Sequence, residues 1–159
     1  MKTANDVLDA VKVALEATVP NLLVAYRGAH PMEDVPNIRE VYLEEYDYEQ
    51  AFNTPAFLVF EADPIVEIES SGSYFFTLPL DIVAWDTADA SGMAQLHRRL
   101  KTYRAVAIEA MVKYHNSSPG LWHGVSIAVY GSGPPTPMST GAVGRALGVQ
   151  LHFNVEETY

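Results

Sequence analysis

Residues 74–85, YFFTLPLDIVAW, are followed after seven small or polar positions by residues 93–114, MAQLHRRLKTYRAVAIEAMVKY, and the change of period between the two stretches decides the fold. In the first, Leu78, Leu80, Ile82 and Ala84 fall on one face and Thr77, Asp81 and Val83 on the other, the two-residue period of a strand. Pro79 cannot donate to a ladder, so it predicts an edge strand or a bulge. In the second, Met93, Leu96, Leu100, Tyr103, Ala107, Met111 and Tyr114 recur at intervals of three and four, the spacing of a helix that lays one apolar stripe on a sheet. Asp86 and Asp89, in the loop between, are short acids suited to capping that helix.

Working toward the C-terminus, Val125, Ile127 and Val129 after Pro119 and Gly120 predict a strand. Leu147, Val149, Leu151, Phe153 and Val155 predict another, with clean alternation. The glycine-, proline- and serine-rich segment between them, about 131–144, reads as a flexible arm too long for an ordinary hairpin. Toward the N-terminus, Thr3 or Asn5 caps a helix whose apolar positions are Val7, Leu8, Val11, Ala14, Leu15 and Thr18, stopped by Pro20. Leu22 to Tyr26 then reads as a short strand closed by Gly28, and Pro31 and Pro36 mark a loop. Val41, Leu43, Phe57 and Val59, then Ile65 to Glu69, predict half-buried strands, with a turn at Ser70 to Ser73. The order of helix, several strands, long helix and two strands predicts a single α+β domain over residues 1–159, with a mainly antiparallel sheet and two principal helices packed on one face. A doubly wound nucleotide fold is disfavoured, because the Gly-x-Gly of Gly131 and Gly133 runs into Pro134 and Pro135 instead of opening a helix.

The chain has 159 residues, 48% of them hydrophobic, which is too apolar for disorder, and it has no cysteine, which removes disulfides and thiolate chemistry. No apolar run approaches the roughly 18 residues that span a bilayer, so no membrane segment is expected and the product reads as soluble. The formal net charge is -10, and the stretch from Glu33 to Glu69 carries eleven acids against the single base Arg39, so that segment holds the whole excess. An acidic surface repels nucleic acid. Glu44, Glu45, Asp47 and Glu49 offer hard oxygen ligands but lack the spacing of a calcium loop, and a solvated acidic face is the simpler reading. Asp81, Asp86 and Asp89 with His97 can be drawn as an acid–base cluster, against which stands the capping role of Asp86 and Asp89. His30, His97, His115, His123 and His152 are scattered singly, His152 as an exposed strand residue, and no serine stands in a nucleophile elbow. No catalytic residue, metal or cofactor is expected.

Two features read as interaction surface. Arg98, Arg99, Lys101 and Arg104 crowd into two turns of the long helix, and the acid lies elsewhere, so identical copies can meet head to tail and close into a ring; the plainer alternative is a solvated helix flank. The arm, with Gly131, Gly133, Pro134, Pro135, Pro137 and Gly141, either is disordered or orders against a partner.

In layout the chain resembles the tail terminator proteins of long-tailed bacteriophages, also called tail completion or head–tail joining proteins. The resemblance rests on the helix in Asn5 to Thr18, the proline-led strand Thr54 to Phe60, the strand Leu78 to Trp85, a small polar loop, the helix Met93 to Tyr114 and a last strand ending almost at the C-terminus. It implies a structural virion protein and not an enzyme: a homo-oligomer, typically a hexameric ring, that sits on the head-proximal end of the tail tube and stops its polymerisation. Its implied partners are the tail tube protein and a head connector or neck protein, with genomic DNA passing through unbound. Under that reading Glu40, Glu44, Glu45, Asp47 and Glu49 face the lumen, while Arg98, Arg99, Lys101 and Arg104 contact a neighbouring subunit. Two alternatives stand beside it. One is a small-ligand-binding or enzymatic α+β domain with a pocket between helix and sheet near Tyr74, Phe75, Phe76, Trp85 and Trp122. The other is a neck or minor tail protein of the same fold.

Overall fold

The structure, a computed structural model, describes residues 3–44, 53–61, 65–67, 73–117, 122, 124–133, 135–138 and 140–158. Its elements are α1 (Ala4–Ala29), β1 (Glu40–Leu43), β2 (Ala56–Glu61), β3 (Ile65–Glu67), β4 (Ser73–Ala88), a 3-10 turn (Ala90–Gly92), α2 (Met93–Ser117), β5 (Gly124–Ser132), β6 (Thr136–Pro137) and β7 (Val143–Thr158). The strands form one sheet in the order β1-β2-β4-β7-β5, with β3 also beside β4 and β6 beside β7. β1 runs parallel to β2, and every other pair is antiparallel. Both helices pack on the same face, so the α+β expectation holds.

The spine is the ladder of β4 on β7, two strands of 16 residues paired from Ser73 opposite Thr158 to Ala88 opposite Val143. Alternation sends Leu78, Leu80, Ile82 and Ala84 of β4, and Leu147, Val149, Leu151, Phe153 and Val155 of β7, to one side. There they are buried against Leu96, Leu100, Tyr103, Ala107 and Met111 of α2. β4 lies inside the sheet and is not an edge strand, but the pairing beside Pro79 is irregular. On the side away from β7, β2 pairs Leu80 to Trp85 and β3 pairs Phe75 to Thr77. Three residues separate Glu61 from Ile65 on that side against two, Leu78 and Pro79, on β4, so the register shifts by one residue opposite the proline, as the bulge alternative expects.

The first helix does not stop at Pro20. α1 runs on to Ala29, and Leu22 to Tyr26 are helical rather than a strand. Its buried stripe of Val7, Leu8, Val11, Ala14, Leu15, Val19 and Leu23 keeps helical spacing through the proline, and core packing outweighs the break. The cost is limited by position, because Pro20 and Glu16, whose carbonyl loses its helical donor, both face solvent. The start is a capping box on Thr3: the Asp6 N–H donates to Thr3 Oγ1 at 3.3 Å and the Thr3 N–H donates to Asp6 Oδ2 at 2.6 Å, which holds the Asp6 carboxyl below the usual range.

The C-terminal strands also differ in detail from the alternation read in the sequence. The register of β5 on β7 slips between Ile127 and Val129, a β-bulge that turns the strand by one residue. Val125 and Ile127 stand opposite Phe153 and Leu151, whereas beyond the bulge Tyr130 stands opposite Val149. The expected arm is folded onto the sheet. Gly131 and Ser132 end β5, the Gly133 N–H donates to the Ala146 carbonyl at 3.0 Å, and Thr136 and Pro137 pair with Gly144 and Val143. A turn closes it: the Met138 N–H donates to the Ala142 carbonyl at 2.9 Å, and Gly141 takes φ +83. Pro134 lies outside the described residues, as do Ser70 to Gly72 of the expected turn and Ile68 and Glu69 of the expected strand.

Met138 of this hairpin packs on a second apolar cluster, Leu58, Phe60 and Trp85, on the face without helices. Trp85 fits there because Gly144 has no side chain; a Cβ at Gly144 would stand 2.4 Å from Trp85 Cζ2.

Replacing Pro20 by Ala restores a helical donor at an exposed site and is expected to raise unfolding stability by about 1–3 kcal/mol. Gly144→Ala is expected to lower it by about 1–3 kcal/mol through overpacking against Trp85. Urea unfolding of both variants measures the two shifts.

Candidate functional site

The basic run of α2 is divided by helical geometry into residues paired with carboxylates within the chain and residues with no described carboxylate in ion-pair range. Arg99 belongs to the first group. Its Nη2 and Nε donate to Asp86 Oδ2 at 2.9 and 3.2 Å, and its side chain is 15% exposed against 7% for Asp86. Asp86 is thus a buried ion-pair partner at the end of β4 and not a helix cap. Asp89 does cap, accepting from the Gly92 N–H at 2.9 Å and the Ser91 hydroxyl at 2.7 Å, which lower its carboxyl.

Next to the pair, the Tyr103 hydroxyl donates to the Pro36 carbonyl at 2.7 Å, and its ionisation is pushed well above the ordinary tyrosine range by burial and then by Asp86. Arg98 also acts within the chain, donating to Glu33 Oε1 at 2.8 Å, although its side chain is 71% exposed. Glu33 accepts a second bond, from the Tyr26 hydroxyl at 2.5 Å, and Tyr26 stacks on His30 with ring centroids 4.3 Å apart. The Tyr26 hydroxyl, with Arg98 and His30 behind it, holds the Glu33 carboxyl below its usual range. Arg27 completes the set, donating to the Val35 carbonyl at 3.0 Å and Asn37 Oδ1 at 2.9 Å. Arg98 and Arg99, expected at a subunit interface, are therefore spent on tying the 30–37 loop and the end of β4 to the helices.

Lys101 and Arg104 form the second group, and the structure adds His97 and Arg145 to them. His97, Lys101 and Arg104 are spaced i, i+4, i+7, one flank of α2. Lys101 is exposed, and the Arg104 guanidinium lies 4.5 Å from the centroid of the Tyr130 ring on β5. Arg145 stands opposite Asp86 in the β4–β7 register, yet its buried Nε has no hydrogen-bond partner, nor has the buried Nδ1 of His97. Burial, followed by the charges of Arg145, Lys101 and Arg104, depresses the proton affinity of His97. Among the described residues none of these three cations has a carboxylate within ion-pair distance. The spacing of His97 with Lys101 and Arg104 was available in the sequence; Arg145 could be found only from the strand register.

The two described acidic candidates, Glu40 and Glu44, lie at the β1 end of the sheet. Glu40 opens β1 and accepts from the Tyr42 hydroxyl at 3.0 Å, and Glu44, just past its end with φ 59, accepts from the Glu61 N–H at 2.9 Å. Both are exposed. Glu45, Asp47 and Glu49 lie outside the described residues. Asp81 is on the helix-free face, bonded to Gln150 Nε2 at 3.1 Å, so it does not join Asp86, Asp89 and His97 in a cluster. His152, expected to be exposed, is half-buried, its Nε2 3.3 Å from Gln150 Oε1.

A groove of about 430 Å³ crosses the helix-free face beside Asp81 and Gln150, floored by Phe60, Val83, Ala146 and Gly148. The aromatics expected to line a pocket between helix and sheet do not do so together: Phe76 and Trp122 are buried in the helix-side core, Trp122 edge-on to Phe153 with centroids 4.9 Å apart, Trp85 is buried on the helix-free face, and nothing is described of the Tyr74 and Phe75 side chains. Neither a protein-family model nor a curated protein matches this chain.

Arg99→Ala leaves the Asp86 carboxylate buried and unpaired and is expected to cost about 3–5 kcal/mol, whereas Arg98→Ala, at an exposed pair, changes stability by about 0.5 kcal/mol or less. Denaturant melts of the two variants test the division. Because His97 binds its proton less readily folded than unfolded, the unfolded chain takes up more protons, so its contribution to stability is complete above the ordinary histidine range and is lost as pH falls through it. Stability profiles between about pH 7 and pH 5 are expected to fall less steeply for His97→Gln than for the parent.

Proposed function

We propose that this chain is a structural virion protein that assembles as a ring on the head-proximal end of a bacteriophage tail tube, ends tube polymerisation and joins the tail to the head. The observation that carries the reading is the polarity of the sheet. Its two terminal strands, β1 and β5, are far apart in the strand order and unlike in chemistry, with Glu40 and Glu44 at one end and the Lys101 and Arg104 flank of α2 over the other. Contacts between unlike surfaces are heterologous, and they build rings or filaments rather than two-fold dimers. The element order supports the same reading, since a first helix, a strand led by Pro55, the β4 strand, the long α2 helix and a late C-terminal strand occupy the positions on which the resemblance to tail terminators rests. In such a ring an acidic inner surface lets DNA pass without adhering, because no counterions would be released there.

A second reading is favoured by one feature. The groove beside Asp81 and Gln150 has a volume within the range of small-molecule sites, so a ligand-binding role on the helix-free face stands as the alternative.

Native mass spectrometry with negative-stain imaging, on free protein and on protein mixed with tail tubes, tests the first reading. Closed rings, free or capping tube ends, and shortened tubes in a polymerisation assay are the expected results. A compact dimer, together with a rise in melting temperature on addition of one metabolite class, would move the assignment to ligand binding.

A further inference from the structure

Positive charge is gathered at one place on this acidic chain and is not neutralised there by any described carboxylate. His97, Lys101 and Arg104 share one flank of α2, and Arg145 stands on the helix side of β7, the side that carries Leu147 and Val149. The four are neighbours, since the charges of Arg145, Lys101 and Arg104 all reach His97 and oppose its protonation. Lys101 is exposed, whereas His97, Arg104 and Arg145 are half-buried. A half-buried cation has given up part of its hydration, and an acceptor ordinarily compensates it. Asp86, the cross-strand neighbour of Arg145, is not available for this: one carboxylate oxygen accepts from Arg99 and the other from the Thr87 N–H. Arg145 Nε and His97 Nδ1 are buried with no hydrogen-bond partner, and among the described residues no carboxylate lies within ion-pair distance of Lys101, Arg104 or Arg145. The face of Tyr130 holds the Arg104 guanidinium in place without neutralising it.

The charge and the extent of the patch define what it can bind. Three cations call for more than the single charge of a carboxylate, and two guanidinium forks with an ammonium suit an oxyanion that has several acceptor oxygens. The patch is also short. From His97 to Arg104 the helix rises roughly 10 Å, and the next residues of the same flank, Ile108 and Val112, are apolar. An extended polyanion finds no further positive charge along that flank, and the net charge of -10 repels it. We infer that His97, Lys101, Arg104 and Arg145 form a binding site for the phosphoryl group of a small molecule, either inorganic phosphate or a phosphate monoester. A phosphoryl dianion bound there supplies the acceptors that the half-buried guanidinium groups lack within the chain. The site does not depend on assembly into a ring, and it lies on the opposite side of the sheet from the groove beside Asp81.

Inorganic phosphate and phenyl phosphate, titrated separately into the full-length protein at constant ionic strength, test the site by calorimetry and by the amide resonances of 15N-labelled protein. Saturable binding with a Kd of about 1 mM or tighter, with resonance shifts centred on residues 97–104 and 145, is expected. Equal affinities would identify free phosphate as the ligand, and tighter binding of phenyl phosphate an ester. Arg145→Gln is expected to weaken binding about tenfold or more and Lys101→Gln about fivefold. Arg98→Gln, which removes a guanidinium already bonded to Glu33, leaves it unchanged. Lys101 is exposed, so its variant decides the matter if Arg145→Gln fails to fold. No saturable binding at about 10 mM phosphate, or binding that Lys101→Gln leaves unchanged, overturns the assignment. Acetate bound as tightly as phosphate would overturn it in favour of a carboxylate. Single-stranded DNA bound more tightly than either phosphate and released by Lys101→Gln would overturn it in favour of a polyanion.

Discussion

The whole molecule depends on the pairing of β4 with β7. Two 16-residue strands in unbroken register make a ribbon roughly 50 Å long, and every other element is placed by what that ribbon leaves unsatisfied. Its helix-side residues from Phe76 to Ala84 and from Leu147 to Val155 are apolar and require cover, which α1 and α2 supply. Its outer backbone groups require partners, which β2, β3, β5 and β6 supply in segments. The register also brings Arg145 opposite Asp86 and Ala146 opposite Trp85, so the charged flank and the outer apolar cluster are consequences of one alignment.

Basic residues are scarce in this chain, and their use separates structure from surface. Arg27, Arg98 and Arg99 are consumed on Val35, Asn37, Glu33 and Asp86, where they hold the loop after α1 against the helices. Lys101, Arg104 and Arg145 are not neutralised by any described carboxylate. A negatively charged group brought to that flank would lower its free energy.

The two faces of the sheet are closed by different means. On one, two long helices cover a continuous core. On the other, a short hairpin over residues 136–142 places Met138 against Trp85, and the remainder is an open groove with glycine in its floor. The helix-free face therefore keeps an open groove among its described residues.

How far the sequence carries can be followed residue by residue. The alternation of Leu78 to Ala84, the three-and-four spacing of Leu96 to Met111 and the alternation of Leu147 to Val155 specified the α+β class and most of the core, because strand and helix periods are local properties of the chain. The same local signals failed at Pro20, where a breaker was tolerated because core packing outweighed its cost. They failed at residues 131–144, whose composition resembles a loop and whose order comes from β7. For the candidate surface, sequence identified the basic run but could not apportion it. Helical phase and strand register send Arg99 inward to Asp86 and leave Lys101 and Arg104 beside Tyr130 and Arg145. By itself the sequence determined the long helix, the principal strands and where the charge lies along the chain; the tertiary structure decided how far α1 runs, how residues 131–144 are ordered, which charges are paired and which residues share a face, because those depend on contacts between segments far apart in the chain.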